Sequence, residues 1–268
     1  MKKIWGLFAI YMLIFVLNFF IGQPENATRD FHFVMRVCIL ILAVLLLIKY
    51  KLPNKKQIII SLAFGLVVYA ALAIRTESFL IPFGMPILAS ITSMAFFSIT
   101  NQHPENSIAM LSGRSAKSVM LTVAIGLGVG IALGFLNIIS IGASLTPSFE
   151  LINFVLPLSP AIYEEMAYRA FFFAACVHFM KDDIFITKEA RNSTITFMMV
   201  IPHVLVHTPN VFMQNGIASG AMMVLVLSIY GYILAYMQRK RDVTSAMIAH
   251  WAINAVTFIT VGIYQLYS

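Results

Sequence analysis

The chain has 268 residues, of which 60% are hydrophobic and 11% charged, and its mean hydropathy is +0.88. A soluble globular domain carries about 25% charged residues, so this composition excludes a soluble globule and indicates a polytopic membrane protein. In a membrane protein, an excess of basic residues such as the net charge of +7 usually reflects the orientation of the chain in the membrane and not nucleic-acid binding. We therefore expect no nucleic acid partner.

Apolar stretches close to the ~20 residues needed to cross ~30 Å of hydrocarbon recur along the chain. They predict nine segments: Ile4–Ile21, Phe31–Ile48, Ile58–Ile74, Phe79–Ile99, Val119–Ile141, Leu151–Met180, Ile195–His207, Ile217–Met237 and Thr244–Leu266. The Ile195–His207 segment is short, and the Leu151–Met180 segment contains Pro157 and Pro160, where it could break. We therefore expect an all-α bundle of eight or nine transmembrane helices that forms a single membrane domain over residues 1–268.

The basic residues predict the orientation of the chain in the membrane. Fourteen of the 18 lysines and arginines fall in alternate loops, whereas the intervening loops hold only Arg29 and Arg75. Because loops rich in lysine and arginine stay on the cytoplasmic side, we expect a cell-membrane protein with a cytoplasmic amino terminus. The first segment follows Lys2 and Lys3 but precedes no small-residue cleavage site, which favours a retained helix over a signal peptide.

A ladder of glycines in the fifth segment predicts close helix packing. Gly126, Gly130 and Gly134 are spaced four residues apart, a pattern that lets two membrane helices approach each other closely. A phosphate-binding role is not indicated, because no strand precedes the ladder and its spacing differs from that of dinucleotide-binding loops.

Few ionisable residues lie deep inside the apolar segments. Among the acidic residues only Glu164 and Glu165 do, and among the histidines His203, His207 and His250 do. A charge at the middle of a membrane helix costs about 2.5–3.5 kcal/mol on insertion scales, so such residues mark functional sites by default.

Helical spacing groups these residues into three pairs. Glu165 and Arg169 are four apart with the acid first, the favourable order for an ion pair, which leaves Glu164 available to water. His250 and Asn254 share one helix face, as do His203 and His207.

These groups suit hydrolysis inside a membrane. A carboxylate can take a proton from water, an imidazole can position that water or bind a metal that activates it, and an amide can stabilise an oxyanion. Whether a metal such as zinc is used stays open, with Glu164, His203, His207 and His250 as candidate ligands. The two cysteines lie in apolar stretches and supply no cysteine-based metal site.

The order of these motifs resembles that of a known family. Glu164-Glu165-x-x-x-Arg169, a later histidine in an apolar helix, and His250-x-x-x-Asn254 are similar to the three motifs of the CPBP family. That family comprises the CAAX prenyl endopeptidases and bacterial bacteriocin-processing, immunity and abortive-infection-like proteins. The match covers residues 151–259, whereas residues 1–141 carry no signature.

The resemblance implies an intramembrane endopeptidase. Glu164 would be the general base on a water, Glu165 and Arg169 would support it, and His250 and Asn254 would bind the water or the oxyanion. The second motif of the family is F-x-x-x-H, from which this chain departs. If the motif histidine is His203 the phenylalanine position holds Met199, and if it is His207 that position holds His203.

Two other classes of protein fit the same composition. One is a non-catalytic membrane scaffold or bacteriocin immunity protein that binds a peptide, and the other is a proton-coupled transporter with a buried relay of ionisable groups. Against transport, no inverted repeat is visible and the carboxylates lie on one helix. We expect membrane lipid and a peptide or membrane protein as partners, and the basic chain with short loops favours the bacterial branch.

Overall fold

The structure is a computed structural model, and it describes residues 1–74, 84–141, 145–183 and 186–261. Within these ranges all regular secondary structure is helical. The α-helices are α1 Lys2–Ile21, α2 Ala27–Tyr50, α3 Lys55–Ala73, α4 Gly84–Gln102, α5 Ala116–Ile141, α6 Ile152–Val155, α7 Leu158–Glu164, α8 Phe171–Met180, α9 Lys188–Val206, α10 Pro209–Lys240 and α11 Val243–Val261. A 3₁₀ turn spans Pro104–Asn106, and a π-helical segment, Glu165–Ala170, joins α7 to α8.

The expected all-α multi-pass bundle is confirmed. When α7, the π segment and α8 are counted as one continuous helix and the single turn α6 is set aside, the described residues contain nine helices. Six of these, α1, α2, α3, α5, α10 and α11, are long and apolar enough to cross a membrane.

The prolines of the predicted Leu151–Met180 segment act differently from each other. The helix breaks before Leu158, with Pro157 at the cap position, but continues through Pro160. Pro160 is tolerated because it lies in the first turn of α7. Backbone N–H groups there have no acceptor within the helix, so a residue without an N–H costs no helical hydrogen bond.

Some predicted features lie outside the described residues. These are Arg75, the start of the Phe79–Ile99 segment including Pro82, and the last five residues of the Thr244–Leu266 segment. The short predicted Ile195–His207 segment is the last part of α9, which begins earlier because Thr187 caps it by accepting a hydrogen bond from the Ala190 N–H at 3.2 Å.

The chain divides into two compact units. The first comprises residues 1–57, 91–107 and 166–235. In it, α8 packs on α9 while α1 contacts α2, α8 and α9. The first turn of α2 is bonded to the start of α10: the Asn210 N–H donates to Thr28 Oγ1 at 3.0 Å and the Thr28 N–H donates to Asn210 Oδ1 at 2.7 Å. After this contact, α10 kinks at Gly216, whose φ of 84° suits a residue without a Cβ.

The second unit comprises residues 58–90, 108–165 and 236–268, of which 75–83, 142–144 and 262–268 are not described. Its most extensive packing joins α5 to α11. The glycine ladder lies at this contact: a Cβ on Gly126 would be 2.7 Å from Ile248 Cβ, and one on Gly130 would be 2.5 Å from the Ala249 carbonyl oxygen. The predicted close approach of two helices at the ladder is therefore confirmed.

Both ends of α11 are secured by neighbouring loops. At its start, the N–H groups of Val243 and Thr244 donate to the carbonyls of Ala109 and Met110 at 3.0 and 3.1 Å. Near its end, the carbonyls of Ile259 and Thr260 accept from the Ser148 and Thr146 N–H groups at 2.8 and 3.0 Å. Because helix termini leave backbone groups unpaired, these bonds hold α11, and with it His250, in one position.

Candidate active site

The two adjacent carboxylates lie where the helix changes its geometry. Glu164 is the last residue of α7 and Glu165 the first of the π segment, and their exposed fractions are 5% and 0%. Single-turn π segments inside α-helices occur frequently at functional sites. Sequence spacing did not predict this segment, because its residues are compatible with an ordinary α-helix.

His250 on α11 contacts both carboxylates. Its Nδ1 is 2.7 Å from Glu165 Oε1, and its Nε2 is 3.8 Å from Glu164 Oε2. When Glu165 is ionised it only accepts hydrogen bonds, so a neutral His250 ring then carries its proton on Nδ1 and its Nε2 lone pair faces Glu164. The carboxylate of Glu165 thus orients the ring, and the carboxylate of Glu164 and Nε2 of His250 form a pair of proton acceptors.

Two further side chains complete this cluster, and no sequence pattern had indicated either of them. The Tyr163 hydroxyl donates to Glu164 Oε1 at 2.7 Å, and Gln238 Nε2 donates to Glu165 Oε2 at 2.8 Å. Gln238 is near the end of α10 and is 1% exposed. In the sequence it reads as one polar residue beside a basic loop, so only the packing of α10 reveals its position.

Asn254 lies one turn after His250 and is half-buried. Within the described parts of the chain its amide makes no hydrogen bond. The neighbouring Trp251 donates from Nε1 to the Phe154 carbonyl at 2.8 Å, which fixes this part of α11 against α6.

The two candidates for the second motif lie at the end of α9 and face each other. Their Nε2 atoms are 3.2 Å apart. The ring of Tyr168 lies 5.1 Å from that of His203, and the ring of His32 lies 4.8 Å from that of His207, centroid to centroid. His32 lies near the edge of its apolar segment, so no sequence pattern had indicated it. Which of His203 and His207 corresponds to the motif histidine stays open, because the two rings are in contact with each other.

Arg169 is in the π segment and is 2% exposed. Its Nη2 atom is 3.7 Å from the position that a Cβ on Gly231 would take, so the absence of a side chain on α10 leaves space for the guanidinium. The expected pairing of Arg169 with Glu165 stays a prediction.

One pair of imidazoles could supply two ligands to a metal ion. The Nε2 atoms of His203 and His207 are 3.2 Å apart, and imidazole nitrogens are common zinc ligands.

Comparison with known families identifies the region that contains these residues. Residues 146–256 match the family described as type II CAAX prenyl endopeptidase, Rce1-like. This region is similar to the Rce1-like family. The resemblance to CAAX endopeptidases of the CPBP family is thereby confirmed. No curated protein matches the chain, and no solved structure does.

The match to the Rce1-like family supports an intramembrane endopeptidase as the general activity. The Rce1-like region begins before α6 and ends within α11, so it contains all seven residues that the motifs singled out. It also contains Tyr163 and Gln238, whereas His32 lies outside it.

Proposed function

We propose that the protein is an intramembrane endopeptidase that hydrolyses peptide bonds of membrane-associated peptides or proteins with a water activated by Glu164. The observation that carries this proposal is the geometry of His250, whose Nδ1 is bonded to Glu165 while its Nε2 faces Glu164. A water between Glu164 and Nε2 would donate one proton to each acceptor and direct its oxygen lone pair towards a substrate carbonyl.

The reaction follows from these positions. The water oxygen attacks the carbonyl carbon while Glu164 takes one of its protons, and the amide of Asn254 donates to the oxyanion. When the tetrahedral intermediate collapses, the C–N bond breaks and Glu164 returns the proton to the departing amine. Tyr163 holds Glu164 in place through its hydroxyl, and Glu165 stabilises any positive charge that His250 gains.

A metal ion fits the two imidazoles at the end of α9. The His203 and His207 Nε2 atoms are 3.2 Å apart, close to the ~3.3 Å that separates two ligands of a tetrahedral zinc ion with bonds of about 2.0–2.1 Å. These two histidines would supply two ligands to zinc, which when bound would polarise the carbonyl and lower the pKa of a coordinated water.

The family indicates the class of substrate and the setting. Prenylated carboxyl termini of proteins are one candidate class, and peptides of a bacterial membrane are the other. We propose that the protein lies in a bacterial cell membrane with its amino terminus in the cytoplasm, because most lysines and arginines occupy alternate loops.

Cleavage of a mass-tagged library of membrane peptides by the purified protein in detergent tests the proposal. General acid–base groups contribute about 10²–10⁴-fold to rate, so we expect losses of that size in Glu164→Gln and about 10²-fold in His250→Ala. Glu189→Gln, an exposed carboxylate of α9, is the matched control and should keep full activity. Comparison of His203→Ala with His207→Ala identifies the motif histidine.

Addition of a chelator separates the two ways of activating water. Loss of cleavage with recovery on adding zinc would establish a metal enzyme, whereas unchanged cleavage would establish activation by the side chains. If the folded wild-type protein cleaves no better than Glu164→Gln, the endopeptidase proposal is wrong. An immunity scaffold or a proton-coupled transporter would then be tested by peptide binding and proton flux.

A further inference from the structure

An apolar groove lies between α1 and α2 in the first compact unit. It runs along residues 4–14 of α1 and residues 35–42 of α2, and side chains of α8 and α9 complete its lining. Among the described residues that line it, Tyr11 carries the one hydroxyl group, and this hydroxyl donates to the Pro202 carbonyl at 2.5 Å. The lining therefore suits an occupant without polar groups.

The groove has the length of one leaflet of a bilayer. A rise of ~1.5 Å per residue gives residues 4–14 a length of about 15 Å, which is half of the ~30 Å hydrocarbon core. Leu7, Cys38 and Leu42 in its lining are half-buried, so the groove is open to the surroundings of α1 and α2. Because both helices are membrane spans by length and composition, those surroundings are lipid acyl chains.

Three lysines gather at one end of the groove. The Tyr50 hydroxyl at the end of α2 is 2.6 Å from Nδ1 of His178, near the end of α8. Lys3, Lys49 and Lys181, here called the groove lysines, all interact electrostatically with the imidazole of His178. All three are exposed, and Lys3 directly precedes the first residue of the groove.

Basic groups outnumber acidic groups at this end of the groove. Asp183 accepts from the amino-terminal ammonium of Met1 at 2.6 Å, so these two charges offset each other. The carboxylates nearest to Tyr50 and its partner His103 belong to Asp182 and Glu105. Besides the groove lysines, the neighbouring residues Lys2 and Lys51 add positive charge.

We propose that the groove binds one acyl chain of an anionic phospholipid, whose headgroup phosphate contacts the groove lysines. Clusters of lysine and arginine beside membrane helices attract anionic headgroups, and the apolar groove that starts at this cluster is as long as one leaflet. A lipid with a neutral headgroup fills the same groove but gains less from the lysines. This binding does not depend on the peptidase activity.

Photo-crosslinking of the purified, delipidated protein in detergent tests the proposal. The probe is phosphatidylglycerol with a diazirine on one acyl chain, and we expect crosslinks on the peptides that contain Leu7 and Cys38. One lysine near a membrane surface contributes about 5-fold to the binding of an anionic lipid. Unlabelled phosphatidylglycerol should therefore compete at least about 10-fold better than phosphatidylcholine with the same chains.

Removal of charge tests the role of the groove lysines. Substitution of all three by glutamine, Lys3→Gln, Lys49→Gln and Lys181→Gln, should abolish the preference for phosphatidylglycerol. The matched control removes three exposed positive charges from the second unit, with Arg114→Gln, Lys117→Gln and Lys240→Gln. This control should keep the preference of the wild type. Equal loss in both triple variants would show a general effect of net charge and overturn the proposal.

Filling the groove tests the place of the acyl chain. Leu7→Trp puts a bulky side chain into the groove, and we expect crosslinking of the α2 peptide to fall about 10-fold. Leu13→Trp makes the same change on α1 at a residue that is 58% exposed and does not line the groove, and it should leave crosslinking unchanged. If Leu7→Trp does not fold, competition on the wild-type protein and the lysine variants, which change exposed residues, still decide.

The competitors distinguish the possible occupants of the groove. Equal competition by phosphatidylglycerol and phosphatidylcholine would mean an ordinary lipid contact and overturn the proposal. Competition by inorganic phosphate as strong as that by phosphatidylglycerol would mean a headgroup site without a chain, and would also overturn it. Stronger competition by farnesol than by phosphatidylglycerol would assign the groove to an isoprenoid chain instead.

Discussion

At the junction of α10 and α11, the buried carboxylate of Asp242 accepts hydrogen bonds from several neighbouring segments. It is 0% exposed, and its Oδ1 accepts from the Ser245 N–H at 2.7 Å, which caps the first turn of α11. Its Oδ2 accepts from the Thr122 hydroxyl at 2.8 Å and from the Ser112 N–H at 3.1 Å. Burial by itself would raise the pKa of Asp242, but these hydrogen bonds outweigh it and hold the pKa below its ordinary value.

This lowered pKa predicts an acid-dependent loss of stability. A carboxyl whose pKa is lower in the folded chain stabilises the fold above its unfolded pKa of about 3.9, and the stabilisation disappears as the pH falls through the folded pKa. We expect Asp242→Asn to be less stable than wild type by about 1–3 kcal/mol at pH 7, and this difference to shrink below about pH 4. Thermal unfolding in detergent at pH 7, 5, 4 and 3 measures it.

Asp182→Asn, at an exposed carboxylate, is the control and should follow the wild type at every pH. A difference between Asp242→Asn and wild type that stays constant down to pH 3 would show that ionisation of Asp242 does not stabilise the fold.

The position of His250 depends on the packing of helix α11 against helix α5. Gly130 lies against Ala249, the residue before His250: a Cβ there would be 2.6 Å from Ala252 Cβ and 2.8 Å from Ala249 Cα. Backbone atoms cannot yield as a flexible side chain can, so a side chain at this position must push the helices apart. Gly128 offers a comparison on the same helix, because a Cβ there would meet nothing within 4 Å.

We expect Gly130→Val to destabilise the protein by about 1–3 kcal/mol, the usual cost of overpacking, and to lower peptidase activity because α11 moves with His250. Gly128→Val should leave both close to wild type. Thermal unfolding and peptide cleavage on the two variants check this. Equal behaviour of the two valine variants would mean that α5 and α11 do not pack through the glycine ladder.

At the scale of the whole molecule, the loop charges predict which residues face the cytoplasm. Asn54 lies between α2 and α3 in a loop rich in lysine, and Glu25 lies between α1 and α2; both are exposed. By the positive-inside rule we expect Asn54→Cys to be cytoplasmic and Glu25→Cys to be external. The background is a variant with Cys38 and Cys176 replaced by serine.

Labelling of intact cells with a membrane-impermeant maleimide measures this orientation. Glu25→Cys should react and Asn54→Cys should not, and both should react after detergent is added. The opposite pattern would place the amino terminus outside the cell and reverse the proposed orientation.

The sequence alone determined the class of protein and most of its helices, and it singled out Glu164, Glu165 and His250 as ionisable residues deep in apolar segments. The reason is the cost of polar groups in hydrocarbon: a membrane helix must be apolar over its length, so each buried charge or imidazole stands out against it. The close helix contact at the glycine ladder could also be predicted from the sequence, because small residues at every fourth position indicate such a contact.

Only the tertiary structure decided which of these groups meet. Local spacing paired Glu165 with Arg169, whereas the fold brings His250 and Gln238 from later helices onto the two oxygens of Glu165. It also introduced the π segment at Glu165 and made Asp242 a buried cap. These features depend on how α10 and α11 pack, and helical periodicity describes one helix at a time, so no pattern along the chain could have revealed them.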